Sequence, residues 1–416
     1  MTALSLRLRS SRRPYLYALV ITIIGSAFAQ YLWQYVWPSM PVIKAQTPGI
    51  YLEFLGAVIS LLLWLFAPAR RATGVLLNVF FTALALLWLV VMVLSMVHGD
   101  AYTHGVWTYP VIVGMLWLKL PTRDEALDGL VLSGWILASI LFFTRVLELL
   151  GLIPMATVSA DMTAFERENY WLPLSGWLGP EGRWPGPMGH NANTGNAAAY
   201  LIVLGVALKR RYATVFVLVG VFALLLAMSR GSMLAVAVGV AIVLLLGDYP
   251  WTRRFSRRSL ITAVLLTCLT VFALAFVVSP NLTGRTTGYW PMFLDLWRSS
   301  PWTGVGISGV AAGPEFIRDS NGHNLIIDVL AKYGLISILP LAAVLITPVI
   351  LSIRAAARMD VVPMGLVATF MVIGVTEADF PWTGPSLPWL LLVLASVMAA
   401  GTRASAVGQV PANAVP

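Results

Sequence analysis

Charge is scarce in this sequence. Only 11% of its 416 residues are Asp, Glu, Lys or Arg, and 59% are hydrophobic. Ordinary soluble domains carry about 25% charged residues. The shortfall excludes a soluble globular protein, a disordered chain and a secreted disulfide scaffold. Cysteine is nearly absent as well. Cys268 stands alone in an apolar run, so neither an intramolecular disulfide nor a Cys-based metal site is possible. There is no P-loop, no dinucleotide-binding glycine fingerprint and no HExxH. A GxSxG elbow is missing too, as is a DxD pair of the kind that holds a metal against a nucleotide sugar.

Long uncharged apolar runs recur along the whole chain. They predict an all-α polytopic membrane protein, because only helices of about 20 residues satisfy their own backbone across a bilayer. A β-barrel would show alternating segments of about ten residues. Spans are expected at 15–36, 50–66, 74–97, 106–118, 127–149, 190–208, 213–228, 231–247, 259–279, 323–353, 361–376 and 386–400, about twelve in all. The span 106–118 is short for a hydrocarbon core of about 30 Å. The run 323–353 is long enough to begin outside the bilayer. Ala27-Phe28-Ala29 has the look of a signal-peptide cleavage site. The run continues through Tyr31, Trp33 and Trp37, which favours a retained first helix.

Basic residues orient the chain. With the N-terminus inside, successive cytoplasmic segments hold 18 of the 27 Lys and Arg. They include Arg7, Arg9, Arg12 and Arg13, then Arg70 and Arg71, Lys209 to Arg211, Arg253 to Arg258, and Arg354. Both termini are expected in the cytoplasm. The chain divides into N-terminal helices 1–150, an outer loop 151–189, central helices 190–279, a large outer loop 280–322 and C-terminal helices with a short tail 323–416. It forms one integral membrane domain. Loops of this length are usually functional or hold short elements. Their tryptophans suggest ordered segments along the bilayer surface.

Nine basic residues fall on or near the outer side, and topology does not explain them: Lys44, Arg145, Arg167, Arg183, Arg230, Arg285, Arg298, Arg318 and Lys332. Several sit in four clusters. In Gly182–Asn196, Arg183 precedes His190, Asn191, Asn193 and Asn196 at a helix start, where backbone N–H groups favour an anion. Asn and Thr also cap helices there, but capping leaves Arg183 unexplained. In Met228-Ser229-Arg230-Gly231-Ser232, an Arg occupies a tight turn between apolar helices. It either snorkels to the interface or faces a polar cavity. The third cluster runs from Gly284-Arg285 through the helix-like stretch that begins at Trp290 and carries Arg298, to a turn over 301–309. An arginine fork suits a diphosphate, although a plain surface arginine is the simpler reading. In the fourth, His323 opens an apolar helix and can take and return a proton. A structural or capping histidine is the alternative. Asp328 and Lys332, four apart on that helix, are placed to pair with each other.

In this order the clusters resemble the O-antigen ligase family, the WaaL/Wzy-C superfamily of polytopic membrane glycosyltransferases. The likeness rests on Gly182-Arg183 with His190-Asn191-Ala192-Asn193, and on the Ser229-Arg230-Gly231-Ser232 turn. It continues through Arg285 and the Pro301-Trp302-Thr303-Gly304-Val305-Gly306 segment to His323-Asn324, Asp328 and Lys332-Tyr333-Gly334-Leu335. Glu377-Ala378-Asp379-Phe380-Pro381 also fits. The likeness covers mainly 180–385. Family members commonly carry a Pro in the Asn-containing element, which this chain lacks, so which Asn matters stays open.

The resemblance implies a GT-C-like fold in the cytoplasmic (inner) membrane with its active site facing outward. It implies transfer of a glycan from an undecaprenyl-diphosphate-linked donor to a hydroxyl acceptor, either a lipid A core or another glycan. The enzyme would be inverting and metal-independent and need no cofactor. Arg183, Arg230 and Arg285 would bind the diphosphate, and His323 would be catalytic. Arg298, His190 and Asn193 are second candidates. Ligases and polymerases share these motifs. A transporter or flippase of a lipid-linked substrate is a reading from another class, disfavoured by span centres that are nearly free of charge. A membrane scaffold is a third. The net charge of +9 thus reads as a topology signal plus an outer arginine set, with the bilayer and a lipid diphosphate as partners and no nucleic acid.

Overall fold

The computed structural model describes residues 14–36, 55–56, 58–65, 74–100, 114–153, 184, 186–188, 191–227, 229–247, 256, 259, 262, 266, 290–313, 324–376 and 387–401. These residues form a bundle of α-helices: α1 Pro14–Val36, α2 Val75–His98, α3 Arg123–Leu149, α4 Asn191–Leu208, α5 Ala213–Ala227, α6 Arg230–Leu246, α7 Trp290–Ser299, α8 Gly306–Ala311, α9 Leu325–Ala357, α10 Val362–Thr376 and α11 Leu387–Ala400. A 3-10 turn, Gly186–Met188, precedes α4. Nine expected spans coincide with helices to within a few residues, the one at 323–353 with a break inside it. The span at 50–66 is described at 55–56 and 58–65, where it is helical, and those at 106–118 and 259–279 lie mostly outside the described residues, with a helical stretch at 114–118.

Among the described residues three helices, α2, α3 and α9, are long and apolar enough to cross a membrane, and shorter apolar helices pack among them. Burial follows composition. Helix α11 is apolar on every side and is buried from Leu387 to Ala399, so it lies inside the bundle. Outer helices show apolar side chains to the surroundings: Leu86 and Val93 on α2, Phe142 and Phe143 on α3, Leu218 and Phe222 on α5, Leu339 and Ile346 on α9. Soluble proteins rarely expose so continuous an apolar surface. The chain is a membrane protein.

Small residues let the central helices approach closely. A Cβ on Gly220 of α5 would lie 3.0 Å from the Ala198 carbonyl of α4. One on Gly239 of α6 would strike Thr369 of α10 and Val203 of α4.

The bundle has two chemically distinct ends. At the first, Thr122 caps α3 in a reciprocal capping box with Glu125, which explains why α3 starts four residues before the expected span. Arg123 pairs with Asp360 at 2.8 Å, and the Arg358 guanidinium donates to the Ala399 carbonyl. Lys119 stands over the ring of Trp64. This is the basic end. The opposite end gathers the sequence motifs.

The run expected as one span over 323–353 is not one regular helix. Its backbone breaks at Gly334, with φ 66° and ψ −171°, conformations that only glycine adopts easily. The 301–305 segment packs into the break. A Cβ on Gly334 would fall 2.2 Å from the Trp302 carbonyl oxygen. The segment also replaces hydrogen bonds that the break removes. Val305 N–H donates to the Ala331 carbonyl, and Leu335 N–H donates to Pro301, both at 2.9 Å. The segment expected as a turn over 301–309 is a turn only to Val305; α8 begins at Gly306.

Candidate active site

Four stretches of chain meet at the motif end. Helix α4 begins with Asn191, and its first turn lies against the start of α6: a Cβ on Gly195 would sit 2.6 Å from Ser229 Cβ. Ser229 caps α6, accepting from Ser232 N–H, and the Ser229 and Ser232 hydroxyls are 2.8 Å apart. Ser232 then donates to Asn196 Oδ1 at 2.8 Å. On the other side of α6, Gly231 abuts Thr376 at the end of α10. Asn324, the residue after His323, caps α9 by accepting from the Ile326 and Ile327 N–H groups. Its amide also donates to the Val375 carbonyl. The starts of α4, α6 and α9 and the end of α10 therefore form one continuous junction.

Arg230 is the first residue of α6 and is exposed at this junction. Asn193 is exposed on the first turn of α4. Asn196 is 3% exposed, and its Nδ2 has no hydrogen-bond partner among the described residues. The two asparagines thus divide: Asn193 faces out, and Asn196 ties α4 to α6. Arg298 lies on α7, which packs on α9 through a small apolar cluster of Phe293, Val310 and Ala331. It pairs with Asp295 at 2.6 Å, and both side chains are about two-thirds exposed. Asp328 and Lys332 do pair, at 2.9 Å and largely buried. Arg183, Arg285, His190 and His323 lie outside the described residues.

Two acidic residues that sequence reasoning passed over organise this end. Asp100, just beyond α2, accepts from the Ile307 and Ser308 N–H groups with its two carboxylate oxygens. It thereby caps α8, the helix that follows the Pro301–Gly306 segment. His98 Nε2 lies 3.1 Å from the Thr303 carbonyl oxygen on the same segment. Glu148, in the last turn of α3, accepts from Trp184 Nε1 at 2.8 Å and pairs with Arg145 at 2.9 Å. Arg145 and Glu148 are three apart at the end of an apolar span, a spacing that could have flagged the pair. Among the described residues no group of three or more His, Cys, Asp or Glu is placed to hold a metal ion.

The helix starts suit an anion. The N-termini of α4 and α6 present the positive ends of their dipoles, and Arg230 adds a full charge beside them.

No curated protein matches this chain. The O-antigen ligase family model (Wzy_C) matches residues 214–342, a stretch that runs from α5 through the Gly334 break. It takes in Arg230, Arg285, Arg298 and His323; Arg183, His190 and Asn193 precede it. The family that the motifs resemble is thus the one whose model matches, over residues 214–342.

Proposed function

We propose that this protein transfers a glycan from an undecaprenyl-diphosphate-linked donor to a hydroxyl acceptor at the outer face of the cytoplasmic membrane, as an O-antigen ligase. The observation that carries the reading is the junction of α4, α6, α9 and α10, whose chain ends bear the family motifs.

The chemistry follows from the donor. The acceptor oxygen attacks the anomeric carbon, the bond from that carbon to the phosphate oxygen breaks, and configuration inverts. Undecaprenyl diphosphate leaves with the bonding electrons. Arg183, Arg230 and Arg285 offset the charge that develops on the diphosphate. His323 takes the proton from the acceptor hydroxyl. The donor already carries a good leaving group, so neither a nucleotide nor a metal is required. The apolar faces of the outer helices suit the polyprenyl chain.

Replacing His323 by Ala in cells, with normal membrane levels of the protein, should abolish transfer of polymer to its acceptor. Full transfer by that variant would remove the catalytic assignment. Glycan gels of a deletion strain separate the two family activities. Loss of all acceptor-linked polymer marks a ligase, and accumulation of single-repeat product marks a polymerase.

A further inference from the structure

The Glu148–Arg145 pair occupies a place that costs stability. A carboxylate in the last turn of a helix opposes the helix dipole. Its side chain is also completely buried, and buried ion pairs are often no more stabilising than apolar residues of the same volume. What the pair holds accounts for its position. Both Glu148 oxygens lie within reach of the Trp184 indole N–H, at 2.8 and 3.1 Å. The Arg145 guanidinium stands 6.0 Å from the centre of the Trp184 ring.

Trp184 is fixed on two further sides. Its backbone N–H donates to the Leu226 carbonyl at 2.9 Å, at the end of α5 and four residues before Arg230. Two residues on, Gly186 packs on Thr194 in the first turn of α4. The chain at 184 is thus pinned among the ends of α3 and α5 and the start of α4, beside the turn that carries Arg230. The residue immediately before Trp184 is Arg183.

We infer that Glu148 is a positioning residue: it fixes Trp184, the neighbour in the chain of Arg183, which is proposed to bind the donor diphosphate. This rests on the diphosphate role proposed for Arg183. The test measures binding of undecaprenyl diphosphate to the full chain in nanodiscs, for the wild type and for Glu148→Gln, Trp184→Phe, Arg183→Gln and the Glu148→Gln/Arg183→Gln double variant. Trp184→Phe keeps an aromatic side chain and removes the N–H, so it carries the test should Glu148→Gln fail to accumulate.

Arg183→Gln should weaken binding about tenfold, the loss expected for one charge-assisted hydrogen bond. Glu148→Gln and Trp184→Phe should each weaken it severalfold. The double variant should bind like Arg183→Gln alone, because residues acting through one contact are not additive. A purely structural role would lower the melting temperature and leave the affinity of the folded fraction unchanged; that result, or additive losses, overturns the inference. Unchanged affinity in Arg183→Gln overturns the diphosphate role of Arg183 itself, and the positioning role with it.

Discussion

Ser232 donates a hydrogen bond to Asn196 across 2.8 Å, joining the first turn of α6 to the first turn of α4. Both residues are buried, and each follows a motif residue closely: Arg230 by two positions, Asn193 by three. Ser232→Ala leaves the Asn196 carbonyl oxygen without this donor in a dry environment. We expect a loss of about 1–3 kcal/mol, read as a lower melting temperature of the detergent-solubilised protein.

The two described arginines of the candidate set should behave differently. Arg230→Ala should reduce polymer transfer at least about tenfold, through loss of a charged contact to the diphosphate. Arg298→Ala should change it little, since Arg298 and Asp295 form an exposed pair and such pairs contribute weakly. Transfer assays on membranes with matched protein levels check both. Equal losses would return Arg298 to the site.

Gly334→Ala should be severely destabilising, by about 3 kcal/mol or more, because it combines a positive φ with a Cβ inside the Trp302 carbonyl. Gly374→Ala is the control. Its Cβ would meet only Leu325 at ordinary contact distances of 3.6 and 3.7 Å, so the variant should melt close to the wild type.

Asp100→Ala should release the start of α8. Two backbone N–H groups lose their acceptor, and capping losses run at about 0.5–2 kcal/mol. Hydrogen exchange should accelerate at Ile307 and Ser308 while α4 and α6 keep their protection.

The helices were legible in the sequence because each apolar run is longer than a strand and bounded by charge, Gly or Pro. The cluster at Ser229–Ser232 was legible for the same reason: an arginine between two apolar runs stands out. The contacts of Asp100 with α8 and of Glu148 with Trp184 were not, since they join residues about 36 to 208 positions apart and nothing local marks those partners. The break at Gly334 was also hidden. One glycine inside an apolar run reads as a tolerated helix residue, and only the arrival of residues 301–305 beside it shows what it is for. Asn193 and Asn196 could not be ranked from spacing alone; burial separates them.

The Gly334 break bears on how the site responds to lipid. The part of α9 from 335 to 357 spans about 34 Å at 1.5 Å per residue, enough to cross a hydrocarbon core of about 30 Å without help from residues before it. Membrane-crossing helices tilt as bilayer thickness changes. A continuous α9 would carry its first residue through an arc with every such tilt. Here the hydrogen bonding is interrupted at Gly334, and the piece from Leu325 to Tyr333 is held by the 301–305 segment and by the end of α10. The residue next to His323 should therefore move less with bilayer thickness than the rest of its helix does.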